Sequence, residues 1–141
     1  MAFPYRLLRL ASTCAGVLAL VPNGANAEDH VRLMNYYYGD QAFCFDVPLE
    51  RARRLPAWAG TGEPPVSKTQ AVRIATKDLG LSTTPHRVGL NHIDARSGAK
   101  ADVWYYVIEY EPSAKNPFAI AVVLFDRQLV KSGSECSYFE P

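Results

Sequence analysis

Few side chains in this 141-residue chain have chemistry to offer, and their spacing limits it. There are three histidines, His30, His86 and His92. His86 follows Pro85 in a loop, and the six positions from it to His92 span about 20 Å of extended chain. The two are not set to share a metal. Glu109 and Glu111 fall on one face of a strand-like run about 7 Å apart. Two carboxylates at such a separation can hydrolyse a glycoside, so the rival enzymatic reading is a small hydrolase using His92 with Glu109 or Glu111. The plainer meaning is a solvated strand end, because Pro112 follows at once. The sequence holds no G-x-S-x-G elbow, Gly-rich phosphate loop or H-E-x-x-H. Cys44 and Cys136 have no Cys or His at zinc-ligand spacing. In "ERARR", Arg51, Arg53 and Arg54 form a short basic run beside Glu50, either a dock for an anion or a solvated face. The residue types therefore assign no catalytic, cofactor or metal set.

The elements that would position these residues are easier to read. In "PPVSKTQAVRIATKDLGL", Ser67 and Gln70 form an S-x-x-Q capping box, with Val66 placed to staple onto Ala71. Ala71, Val72, Ile74, Ala75 and Leu79 share one arc at helical spacing, and Gly80-Leu81 is a helix-stop pattern. The spacing predicts a helix over 68–79 with one buried side. Three strand-like runs follow, "HRVGLNHID", "DVWYYVIEYE" and "FAIAVVLFD", rich in β-branched and aromatic residues. Short turns join them, which favours antiparallel neighbours. Arg127-Gln128 turns the chain into "LVKSG". Upstream, "VRLMNYYY" and "QAFCFDV" flank Gly39-Asp40, a two-residue hairpin signal. "PLERARRL" can make one or two helical turns, and "PAWAGTGEPP" reads as loop.

The capped helix "VSKTQAVRIATKDLG", followed by strands containing "WYYVIEY" and "AVVLFDRQLVKSG", resembles the PepSY domain family over residues 66–133. The resemblance implies a cystatin-like helix-on-sheet outline. It also implies an exported, non-catalytic module of the kind proposed to inhibit or modulate other exported proteins. The family usually closes its third strand with an Asp and a nearby Gly. Here Asp126 is followed by Arg127-Gln128-Leu129, and the next glycine is Gly133.

The first residues indicate a destination. Arg6 and Arg9 precede an uncharged apolar run of 12 residues, 10–21, and Pro22 and Gly24 then lead to Ala25-Asn26-Ala27. That is the layout of a secretory signal peptide over 1–27, too short to span a bilayer, which needs about 20 apolar residues. Cys14 lies inside it. The expected mature chain, 28–141, is one α+β domain: an N-terminal extended segment and loop (28–65), the PepSY-like core (66–133) and a C-terminal segment (134–141). The full chain has 15 Lys+Arg and 14 Asp+Glu. Without Arg6 and Arg9 the balance is 13 against 14, which lacks the basic excess of a nucleic-acid binder. An exported chain left with Cys44 and Cys136 favours a disulfide between them.

The second strand of the core asks for two covers. Trp104, Tyr106, Ile108 and Tyr110 form one row, and Val103, Tyr105 and Val107 form the other. One helix covers one face of a sheet. Volume complementarity puts Trp104, Tyr106 and Ile108 against Val72, Ala75 and Leu79. The other row would be covered in part by the N-terminal segment, which the disulfide would pin to the last strand. Whatever remains uncovered is the expected binding surface: Val103, Tyr105 and Val107 with Tyr36, Tyr37 and Tyr38. Arg32 or Lys131 is placed to pair with Glu109. The expected function is a periplasmic or secreted binding module acting on another exported protein. A homodimer joined through the sheet is the structural alternative.

Overall fold

The computed structural model describes residues 30–114, 119–133 and 136. The expected signal peptide and mature start at Glu28 lie outside the described residues, as does most of the segment 134–141. Among the described residues the structure is mixed α and β, with two antiparallel sheets and one helix of more than two turns. A single sheet was expected. The N-terminal segment instead forms a second sheet of its own.

That helix, α2 (Lys68–Asp78), begins as its sequence dictates. The Gln70 backbone N–H donates to Ser67 Oγ at 3.2 Å, and the Ser67 N–H donates to Gln70 Oε1 at 2.9 Å. It ends in a Schellman pair. Leu81 N–H reaches Thr76 O at 3.0 Å and Gly80 N–H reaches Lys77 O at 3.1 Å. Gly80 permits this by taking φ +63°, where a Cβ would be strained.

After α2 the chain makes a meander of β3 (Arg87–Ile93), β4 (Val103–Glu109), β5 (Ile120–Leu124) and β6 (Leu129–Val130), each strand beside the next. The β5–β6 turn, residues 125–128, has Arg127 in the left-handed region at φ +64°. Asp126 holds this turn by accepting the Gln128 N–H at 3.1 Å. It also clamps the short helix α1 (Leu49–Arg53), accepting Arg51 Nε at 2.7 Å and Nη2 at 3.1 Å.

The second sheet is the hairpin β1 (His30–Tyr38) and β2 (Gln41–Pro48), turned at Gly39-Asp40, with β7 (Ser132–Gly133) beside β2. The β1–β2 register slips between Arg32 and Met34. The extra residue, Leu33, changes which parity points inward. Val31 and Leu33 are buried before the slip, and Met34 and Tyr36 pack on the same core after it. Cys44 and Cys136 are bonded, with Cα atoms 5.5 Å apart across 92 residues of sequence.

The meander is thus covered on both faces. On one side Tyr106, Ile108, Tyr110, Ala121 and Val123 pack with Ala71 and Ala75 of α2. On the other, Val103, Tyr105, Val107, Val122 and Leu124 pack with Val31, Leu33, Phe45 and Val47 of the hairpin and Ala52 of α1. Burying an aliphatic side chain of this size stabilises by roughly 1.5–3 kcal/mol. Both faces of β4 therefore contribute to the core.

Candidate functional site

Half of the surface expected for binding is interior. Val103, Tyr105 and Val107 are 0%, 5% and 8% exposed beneath the hairpin. The reason is the complete second sheet, which leaves no part of that row for a partner. Tyr105 is fastened there by donating its hydroxyl to Leu33 O at 2.8 Å. That carbonyl belongs to the bulged residue, so the register slip and the buried hydroxyl satisfy each other. Burial pushes the Tyr105 hydroxyl pKa above its ordinary 10.0. The same cause raises that of Tyr106, whose hydroxyl donates to Val66 O at 2.9 Å.

The other half of the expected surface divides along the hairpin. Tyr36 is half-buried against the core. Tyr37 and Tyr38, at the end of β1 beside the turn, are 58% and 43% exposed. They are the exposed large hydrophobic residues among those described. Past the slip, alternation carries Tyr37 outward with Asn35, whose side chain accepts from Arg32 Nη1 at 2.9 Å. Arg32 also pairs with Asp46 across the hairpin, so it does not reach Glu109.

His92 does not come together with Glu109 or Glu111. In the β3–β4 register His92 lies opposite Trp104 and Arg87 lies opposite Glu109. Five positions of strand separate those pairs, about 17 Å. Glu109 instead meets His86, Nε2 to Oε2 3.5 Å, and Arg87 Nη1 at 3.5 Å. Glu111 lies 3.7 Å from His86 Nδ1. This cluster is open to solvent, and among the described residues no three His, Cys, Asp or Glu side chains are grouped to hold a metal ion.

Residues that sequence spacing kept apart meet at the other end of β4. Trp104 was expected under α2. It shares that face but is only half-buried, and the loop after α1 covers it. Trp58 meets Trp104 edge-on with ring centroids 4.7 Å apart at 70°. His92 stacks on Trp104 at 4.1 Å and 10°. Trp58 Nε1–H donates to Thr61 O at 2.9 Å, which draws the loop closed. Gly60 lets it close, since a Cβ there would stand 3.2 Å from the Trp104 ring and φ is +82°. These rings line a groove of about 530 Å³ with Arg53, Arg96, Lys100 and Asp102. Asp102 is already engaged, with Oδ1 accepting the Ala95 N–H at 2.9 Å and lying 3.4 Å from His92 Nε2. Beneath the rim, the Arg96 backbone N–H and then its guanidinium hold the Asp94 carboxyl below its usual pKa. Of the arginine run, Arg51 is held by Asp126, Arg54 lies 3.5 Å from Glu50, and Arg53 makes no ion pair with a described residue. No sequence pattern announces this groove, because loop, β3 and β4 each supply isolated residues to it.

No family model, curated protein or solved structure matched the chain. No helix among the described residues is long and apolar enough to cross a membrane.

Proposed function

We propose that the chain is an exported, non-catalytic binding module that modulates or inhibits a partner protein in the periplasm or outside the cell, and that the tip of the β1–β2 hairpin is where it docks. The observation that carries this reading is the exposure of Tyr37 and Tyr38, 58% and 43%, beside the hairpin turn. Tyrosines suit such a role because each brings a broad apolar body and a polar tip. They extend from a hairpin anchored by the Cys44–Cys136 bond, so little ordering is left to be done on docking. The bond also suits an oxidising compartment. The order of capped helix then antiparallel meander is compatible with the PepSY-like reading, and the turn after β5 departs from that family's pattern in having Arg127 rather than a glycine in the left-handed region.

The test is site-specific photo-crosslinking in the exporting cell. A crosslinker replacing Tyr37 should give a discrete adduct that one replacing Thr69, on the exposed side of α2, does not. The same adducts from both positions, or none from either, overturns the docking site. N-terminal sequencing that still read Met1 in the exported protein would overturn the signal-peptide part. A second reading, a homodimer through the edge of β1, has in its favour that β1 is an outer strand of its sheet. The slip at Leu33 blunts that edge, and sedimentation at high concentration decides it.

A further inference from the structure

We propose that a second groove, where the end of α2, strands β5 and β6 and the hairpin meet, is a binding site for a small amphipathic anion, of which a straight-chain fatty carboxylate of medium length is the simplest case. Neither Tyr37 nor Tyr38 lines it, so the site stands or falls independently of partner docking. Its apolar surface comes from three directions. Phe45 of β2, Ile120 of β5 and Val130 of β6 line it as buried residues. Tyr36 of β1, Leu129 of β6 and Leu79, just past α2, line it half-buried, with apolar surface still open to the space between them. That space is about 260 Å³, slightly below the range of drug-sized sites, so the occupant is small. Aliphatic side chains outnumber rings in the lining, so a chain of methylenes matches it better than a stacked ring does.

One charge selects among apolar occupants. Lys131 is the charged side chain that lines the groove, and no carboxylate lines it. Lys131 is exposed and makes no ion pair with a described residue. The partner its sequence position suggested, Glu109, meets His86 and Arg87 instead. Lys131 also borders a neighbouring groove, but the one carboxylate there, Asp46, is engaged by Arg32. The ammonium therefore stands at the edge of an apolar space with its charge uncommitted. A cationic amphiphile would be opposed by it. A neutral chain would gain burial alone. A fatty carboxylate gains burial from its chain and a charge contact from its head, with the head left at the solvent edge where Lys131 is.

A matched series tests this: octanoate, butanoate, octanamide and octylamine, titrated into the intact oxidised protein and followed by NMR at the methyl groups of Leu79, Leu129 and Val130. For molecules of this size the expected midpoint with octanoate is about 1 mM. Each buried methylene tightens binding by about fourfold, so butanoate should bind at least about tenfold more weakly. Octanamide, which stands for any chain whose carboxyl is not free, should bind about threefold more weakly than octanoate, and octylamine more weakly still. Lys131→Gln should weaken octanoate by about threefold and leave octanamide unchanged. Leu129→Ala should weaken both. Lys131 is on the surface, so its variant remains informative even if Leu129→Ala fails to fold. Absence of a saturable shift with octanoate at these methyls overturns the proposal. Equal binding of butanoate, octanamide or octylamine, or no effect of Lys131→Gln, overturns it as well.

Discussion

The two faces of β4 are closed by different devices. Toward the hairpin, a sheet lies against a sheet. Every residue of the row Val103, Tyr105, Val107 is buried, and the one polar tip among them, the Tyr105 hydroxyl, is bonded to Leu33 O. Toward α2, a helix of 11 residues, about 16 Å long, lies over part of the sheet. It covers Tyr106, Ile108 and Tyr110. Trp104, nearer the start of the strand, is left to the loop that carries Trp58 and Gly60. A second sheet extends with the first and seals it evenly. A short helix seals one end and leaves the other to a loop, and the groove is where that loop falls short.

The sharpest way to break this comparison is to truncate one ring on each face. Tyr105→Ala should cost about 3–5 kcal/mol, as a large-to-small change in a packed core that also strands the Leu33 carbonyl. Trp104→Ala should cost less, about 1–3 kcal/mol, because the ring is only half-buried and its covering loop can resettle. Urea unfolding of both variants gives the order. Were Trp104→Ala the more destabilising, the loop would be sealing its end as firmly as the hairpin seals its face. Next in size is the bond that fixes the hairpin. Cys44→Ser should cost about 2–5 kcal/mol, the range for native bonds in small secreted domains. Its effect should reach Tyr105 before Trp58, as hydrogen exchange of β1 and of the 58–61 loop would reveal.

What could be read in advance was local. Ser67 and Gln70 mark the start of α2 and Gly80-Leu81 its end within a few residues of sequence, because capping is short-range chemistry. Alternation sorted Tyr106 and Ile108 from Tyr105 and Val107, and Gly39-Asp40 marked the hairpin turn. Four things were not legible. The slip at Leu33 interrupts alternation, so Met34 and Tyr36 turn inward where simple parity would turn Asn35 inward. The pairing of Glu109 with His86 rather than His92 depends on the β3–β4 register, which no single strand encodes. The meeting of Trp58 with Trp104 depends on a loop closing across 46 positions of sequence, under the control of one glycine. Completeness of the second sheet was also missed, and with it the burial of Val103, Tyr105 and Val107.

A smaller effect probes the hydroxyls on the two faces. Tyr105→Phe removes the donor to Leu33 O and should cost about 1–2 kcal/mol at neutral pH. It should also change the response to alkali. The folded hydroxyls of Tyr105 and Tyr106 hold their protons above the ordinary value of 10.0, so above that pH the unfolded chain ionises first. Their contribution is fully present below pH 10.0 and is lost as pH rises above it toward the raised folded values. Denaturant midpoints taken from pH 8 to about 11 should fall less steeply for Tyr105→Phe than for the natural chain. Identical slopes would mean that Tyr105 is not the group that ionises on unfolding.

The smallest expected change is a gain, at the turn that serves both faces. The β5–β6 turn carries Asp126, which clamps Arg51 of α1 under the hairpin, and it opens on Phe125, which lies 6.0 Å from Trp58 on the other side. Arg127 occupies its left-handed position at φ +64°. An L residue pays about 1–2 kcal/mol there, and glycine does not. Glycine in turn loses more chain entropy on folding, roughly 0.5–1 kcal/mol. Arg127→Gly should therefore stabilise by about 0.5–1 kcal/mol, read as a raised urea midpoint. The Arg51–Asp126 clamp supplies the control. Asp126→Asn weakens the partner of Arg51 and the support of the turn together, so it should destabilise by about 1–3 kcal/mol. In that background Arg127→Gly should recover part of the loss, because relief of the backbone does not depend on the carboxylate. If Arg127→Gly destabilises the natural chain, then the Arg127 side chain makes a contact worth more than its strain, and the turn is held from outside rather than from within.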